Sequence, residues 1–90
     1  MAVDHTLKTL PNYWDAIDCG EKTFDVRRDD RGFQKGDTLI LLRLKKEPIT
    51  GRWLEERTDH GFIELRRKIS YVLTGGQFGI EPGYVVMGLY

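Results

Sequence analysis

The sequence predicts an α+β, mainly β domain: a small antiparallel β-barrel with one N-terminal helix packed against it. Three observations carry this expectation. Apolar residues recur at alternate positions or in short runs bounded by glycine and proline, as short strands joined by turns require. A single stretch near the start has helical spacing instead. Most of the 10 glycines fall between the apolar runs, where turns need them.

The 90 residues make one domain, residues 1–90. A chain of that size buries a little over ~60% of its unfolded surface, enough for one modest core. With 40% hydrophobic and 11% aromatic residues spread throughout, a disordered chain is excluded.

Taken in order, His5 to Leu10 (HTLKTL) reads as a first strand with Leu7 inward. Pro11 stands where a helix begins, because the N–H it lacks would be unpaired there anyway. Tyr13, Trp14 and Ile17 follow on one helical face, and Gly20 offers a left-handed stop, so a helix is expected from Pro11 to Asp18. Thr23 to Arg28 alternates, with Phe24 and Val26 on one face and Thr23, Asp25 and Arg27 on the other: the pattern of a half-buried strand. Turns follow at Asp29 to Gly32 and at Lys35-Gly36-Asp37. Thr38 to Leu44 is apolar on both faces, as a core strand can be. After Pro48, a hairpin runs from Thr50-Gly51 through Trp53 to Arg57. It turns at Thr58 to Gly61 and returns through Phe62, Ile63, Leu65, Ile69, Tyr71 and Leu73. Gly75-Gly76, Gly79 and Pro82-Gly83 break the chain before a last strand, Tyr84 to Tyr90.

The charge balance narrows the partners. Fourteen basic residues oppose 14 acidic ones, so the net charge is zero. A dedicated duplex-DNA binder carries a basic excess, because phosphate neutralisation supplies most of its affinity. Nucleic-acid contact here has to come from a local patch or pocket. Cys19 is the only cysteine, so no intramolecular disulfide forms; that, with an opening MAVDHT unlike a signal peptide, places the chain in the cytoplasm. The longest apolar run, Leu39 to Leu42, is too short for a membrane span. No cofactor is expected. Two histidines and one cysteine, none at ligand spacing, make no metal site, and Cys19 reads as a packed thiol.

Gly20 to Arg27, GEKTFDVR, resembles the GxKxxExR signature of the ASCH (activating signal cointegrator homology) family, a branch of the PUA-like barrels. The opening HTLKTLPNYWDAI resembles the strand and helix that precede the signature. Phe33 to Leu41 (FQKGDTLIL) resembles the element that follows it, and Phe78 to Leu89 (FGIEPGYVVMGL) is similar to the ending of a small bacterial and phage branch. Together these cover most of the chain, with Trp53 to Arg66 the least matched. The resemblance implies a PUA-like barrel with a cleft between barrel and helix, lined by Lys22, Asp25 and Arg27. Position 25 is Asp where the family usually has Glu, which shortens the arm by one methylene.

On residue chemistry alone, Lys22, Asp25 and Arg27 read as a solvated ion-pair network on one strand. The resemblance turns them into a pocket: arginine offers a planar fork for phosphate or a base edge, lysine a point charge, and the carboxylate an acceptor that holds the arginine. Strict alternation sets Lys22 opposite Asp25, so all three converge only if the chain bends near Thr23. His5 and Lys8, on the first strand, would flank the same cleft. Arg28 belongs to a basic cluster with Arg27 and Arg31; Arg66, Arg67 and Lys68 form another. Tyr13, Trp53, Phe62 and Tyr84 are aromatic candidates for base stacking, Tyr84 the foremost, while Trp14 belongs to the core.

The expected function is therefore a non-catalytic cleft for single-stranded or modified RNA or a nucleotide, with no membrane partner. Two alternatives remain. One is a small hydrolase acting on RNA or a modified nucleoside. Some ASCH proteins deacetylate N-acetylated cytidine with a lysine, a threonine and a glutamate; the residues at hand here would be Lys22, Thr23 and Asp25, with Asp25 standing where the threonine belongs. The other is a phage or host protein-interaction module, which an exposed apolar patch around Trp53 and Phe62 would favour.

Overall fold

The computed structural model describes residues 2–90. Its elements run β1 (Asp4–Thr9), α1 (Pro11–Asp18), β2 (Phe24–Arg28), β3 (Thr38–Lys46), β4 (Trp53–Glu55), β5 (Arg57–Thr58), β6 (Gly61–Phe62), β7 (Glu64–Thr74) and β8 (Tyr84–Leu89). The molecule is mainly β with one short helix, in the α+β class.

The helix has the expected bounds. Pro11 opens it, and beyond its end Cys19 N–H donates to the Asp15 carbonyl at 3.1 Å while Gly20 takes a φ of 82°. At eight residues it is too short to hold itself in water, so tertiary contacts decide its stability. Ile17 enters the core, and Trp14 packs against it while its indole N–H donates to the Leu41 carbonyl at 2.9 Å. Cys19 is exposed, one turn end beyond the last inward position; the packed-thiol reading is corrected.

The main sheet has the order β1-β3-β7-β8-β2, with β4 added beside β3, while β5 and β6 form a separate ribbon. Its inner face carries Leu7, Leu39, Leu41, Ile69, Val85, Met87 and Leu89, which close with Ile17 and Phe33 into one core. At about 25 cal/mol per Å² of apolar surface, that burial is the main term holding the sheet curved around the core.

Two features correct the closed antiparallel barrel. First, β1 runs parallel to β3, because α1 and β2 form the crossover that a parallel pair needs. Second, the ladder does not close, and no strand pairing joins β1 to β2. Side chains cross that seam instead. Arg27 donates from Nη1 to the Lys8 carbonyl and from Nη2 to Thr9 Oγ1, both at 3.0 Å, and Arg31 donates to the Thr6 carbonyl at 2.9 Å. An arginine side chain is far longer than a backbone hydrogen bond, so the two edges stand apart and leave a cleft.

A third correction concerns β2. Its apolar residues face out: Phe24 is 46% and Val26 50% exposed, whereas Asp25 is 6% exposed. The cause is the register with β8, which sets Asp25 opposite Met87 and Arg27 opposite Val85. Cross-strand partners share a face. Burying Val85 and Met87 therefore carries Asp25 and Arg27 inward with them.

Candidate functional site

The cleft lies between the free edge of β2 and the end of β1 with the first turn of α1. It has two lobes that share Tyr13, Asp25 and Val26. One, of 210 Å³, is also lined by Lys8, Thr9, Leu10 and Arg27; the other, of 370 Å³, by Lys22 and Phe24. Tyr13 is half exposed and forms the helix-side wall.

Asp25 is the centre of the charge arrangement. Arg27 Nε donates to its Oδ2 at 2.7 Å, and Lys22 Nζ stands 3.4 Å from its Oδ1. The chain before β2 is irregular, with Lys22 N–H bonded back to the Ala16 carbonyl at 2.9 Å, which supplies the bend that convergence requires. Lys22 also donates to the Phe24 carbonyl at 2.8 Å and lies over the rings of Phe24 (4.7 Å) and Tyr13 (5.3 Å). Its ammonium is thus caged by one carboxylate, one carbonyl and two aromatic faces. The shorter Asp arm still reaches both cations, so the departure from Glu does not break the trio. Two cations share one carboxylate, and the net charge of the trio is positive, which suits an anionic ligand.

The other expected site residues separate. Lys8 is exposed on the rim and pairs with Glu55 at 3.2 Å. Thr23 is exposed just ahead of β2. His5 is buried away from the cleft lining. There its Nε2 donates to Asp37 Oδ2 at 2.8 Å, and its ring meets Phe33 edge-on at 4.8 Å. Asp37 also accepts from the backbone N–H groups of Val3 and Gln34, both at 3.1 Å. The His5 bond, with these backbone donors, holds the Asp37 carboxyl below its ordinary range despite burial. Arg28 and Tyr84 are opposite each other on the outer face, the guanidinium 5.3 Å from the ring centre, and do not enter the cleft.

The first basic cluster is dispersed across the seam by Arg27 and Arg31. In the second, Arg66 pairs with Glu64 at 3.2 Å and Arg67 reaches the Ile17 carbonyl at 3.4 Å. Thr9 is a participant that sequence reasoning missed. Its signal was parity: His5, Leu7 and Thr9 alternate inward, and a polar residue on the inward face of a strand needs a partner. Among the described residues, no group of three or more His, Cys, Asp or Glu side chains is placed to hold a metal ion. No helix among them is long and apolar enough to cross a membrane.

A family described as a domain of unknown function, DUF3850, matches residues 4–89, from the first residue of β1 to the last of β8. The chain belongs to the DUF3850 family. Every element that builds the cleft lies inside the matched span. The chain is also similar to an uncharacterized 12.9 kDa protein in the GpA 3' region of Escherichia phage P2. The two are 39% identical over 57 residues, which cover 63% of this chain and 52% of that protein. The chain therefore spans about half the length of this curated relative. In this DUF3850 domain the cleft trio lies within 6 residues of sequence, Lys22 to Arg27, but its walls come from β1 and α1.

Proposed function

We propose that this DUF3850 domain is a PUA-like, ASCH-type module that binds single-stranded or modified RNA, or a nucleotide, in the cleft between β2 and the β1–α1 edge, without catalysing a reaction on it. The observation that carries the reading is the inward polar face of β2. A strand that exposes Phe24 and Val26 while burying Asp25 between Lys22 and Arg27 breaks the usual pattern, and such breaks occur where function demands them. Lys22 and Arg27 supply the positive charge for phosphate, Tyr13 a ring for a base, and Asp25 holds both cations in place. The ammonium of Lys22 is spent on the Phe24 carbonyl and on Asp25, the role of a fixed cation. A hydrolase of modified nucleosides would need it as a proton acceptor beside a nucleophile.

Equilibrium binding of a nucleoside monophosphate and of short unstructured RNA tests the proposal. Wild-type protein should bind both, more weakly as salt rises, and Lys22→Gln should lower affinity roughly tenfold. Absence of binding by either ligand at low salt would contradict it.

A second reading is favoured by one observation. Ile49, in the turn between β3 and β4, is 92% exposed, and Trp53, Leu54 and Phe62 are exposed on β4 and β6. Exposed apolar side chains gathered in this stretch of the chain suit contact with a partner protein. One substitution separates the readings: Trp53→Ala should leave RNA binding intact.

A further inference from the structure

The outer face of the sheet divides into two unlike halves. On β1, β3 and the first half of β7, register aligns Asp4, Lys8, Glu64, Arg66 and Lys68 around Thr38, Ile40 and Leu42, a charged cover over short apolar stems. The other half, formed by the end of β7 with β8 and β2, has no such cover. One row across it is Phe24, Gly88 and Tyr71; the next is Val26, Val86 and Leu73. Tyr71 is 63% exposed, more than either Phe24 or Val26.

The first row has the shape of a slot. Adjacent strands are about 4.8 Å apart, so Phe24 and Tyr71 stand roughly 10 Å from each other at their bases with only a glycine between them. A bulge between Ile69 and Tyr71 adds Ser70 opposite Gly88. A Cβ at Gly88 would meet Ser70 Oγ at 2.5 Å, so a hydroxyl forms the floor where a side chain would otherwise stand. Two aromatic walls over a small polar floor fit a flat ring that carries hydrogen-bonding groups.

Charge selects among the partners that present such rings. On the outward positions of this half, Tyr71 to Leu73, Tyr84 to Leu89 and Phe24 to Arg28, there is no carboxylate. Arg28 lies on this face and Lys68 at its border with the charged half, and among the described residues neither has an ion-pair partner. Lys22 lies against the Phe24 ring from the cleft side. Unpaired cations around exposed rings complement a chain of phosphates bearing planar bases.

We infer that this face is a second contact surface for single-stranded RNA, on which Phe24 and Tyr71 stack unpaired bases of a strand whose neighbouring nucleotide occupies the cleft. The inference rests on the cleft reading, because β2 is the wall shared by both surfaces: Asp25 and Arg27 point inward at the cleft, while Phe24 and Val26 stand on the outer face and border the cleft along its edge. A mononucleotide fills the cleft alone. A longer strand passes over the edge of β2 and gains the outer contacts.

Comparing a nucleoside monophosphate with an octanucleotide of unstructured RNA tests this, using wild type, Tyr71→Ala, Tyr71→Phe and sedimentation of each protein. Tyr71→Ala should leave mononucleotide affinity unchanged and lower octanucleotide affinity roughly tenfold, and Tyr71→Phe should restore it. If the mononucleotide binds but Tyr71→Ala leaves octanucleotide affinity at the wild-type value, the outer surface is overturned and the cleft stands. If neither RNA binds wild type, both fall together. A concentration-dependent dimer that Tyr71→Ala abolishes would assign the face to a second copy of the chain and overturn the inference.

Discussion

Arg27 Nη2 donates to Thr9 Oγ1 at 3.0 Å, and this bond links the two strands that end the main sheet. The same guanidinium donates to the Lys8 carbonyl and, through Nε, to Asp25. One side chain therefore closes the seam, sets the width of the cleft and fixes the carboxylate at its centre. Arg27→Lys keeps the charge but loses the fork, and should destabilise the fold by about 1–2 kcal/mol. Thr9→Val should cost about 1 kcal/mol, and the double variant less than the sum, since both remove one bond. Urea unfolding of the four proteins measures the coupling.

Asp25 is buried between two cations, so its removal has opposite consequences under two accounts. If the cleft acts by net charge alone, Asp25→Ala makes it more positive and RNA binds more tightly. If Asp25 positions Lys22 and Arg27, binding weakens. The geometry predicts weaker binding, with a stability loss of about 3 kcal/mol from unpairing two partly buried cations. Titration of the same RNA into both proteins at one salt concentration decides it.

Acid sensitivity should centre on Asp37. Its carboxyl is held below the ordinary value of 3.8, first by the His5 bond and also by backbone donors. A depressed carboxyl contributes stability that is full above its unfolded pKa and disappears as pH falls through the folded one. Asp37→Asn should therefore cost about 2 kcal/mol at neutral pH, and the gap from wild type should narrow steadily below about pH 4. Chemical denaturation across that window follows the narrowing; a constant gap would assign the acid limb to other carboxylates.

The short helix should depend on Arg43. Its Nε and Nη2 meet Asp15 at 2.9 Å each, and its Nη1 reaches Glu56 at 2.6 Å, so it ties α1 and the hairpin to β3. The Arg43 bond is the main cause holding the Asp15 carboxyl below its usual range. Arg43→Ala should speed amide exchange selectively in Pro11 to Asp18 and leave β7 and β8 protected. Uniform acceleration would mean that the residue supports the whole fold instead.

The helix and its stop were legible because their signals are local: Pro11 at one end, Gly20 at the other, and apolar residues at spacings of three and four between them. The position of Lys22, Asp25 and Arg27 was legible only as a charged motif. Alternation alone assigns Phe24 and Val26 to the core, and their exposure follows from a register with Gly88 and Val86 of β8, far along the chain. His5 shows the same limit. Its inward parity was readable, but its partner Asp37 is 32 residues away, and that pairing makes it a support for the Gln34 to Thr38 turn. Open edges are likewise a property of pairing, so the missing β1–β2 ladder has no local signal.

The most direct measurement is a backbone amide NMR titration of the labelled protein with short single-stranded RNA at low and moderate salt. An RNA-binding cleft should give shifts concentrated at Thr9, Tyr13 and Lys22 to Arg27 that weaken as salt rises. Shifts confined to the Trp53 to Phe62 excursion, or none at millimolar RNA, would contradict an RNA-binding cleft.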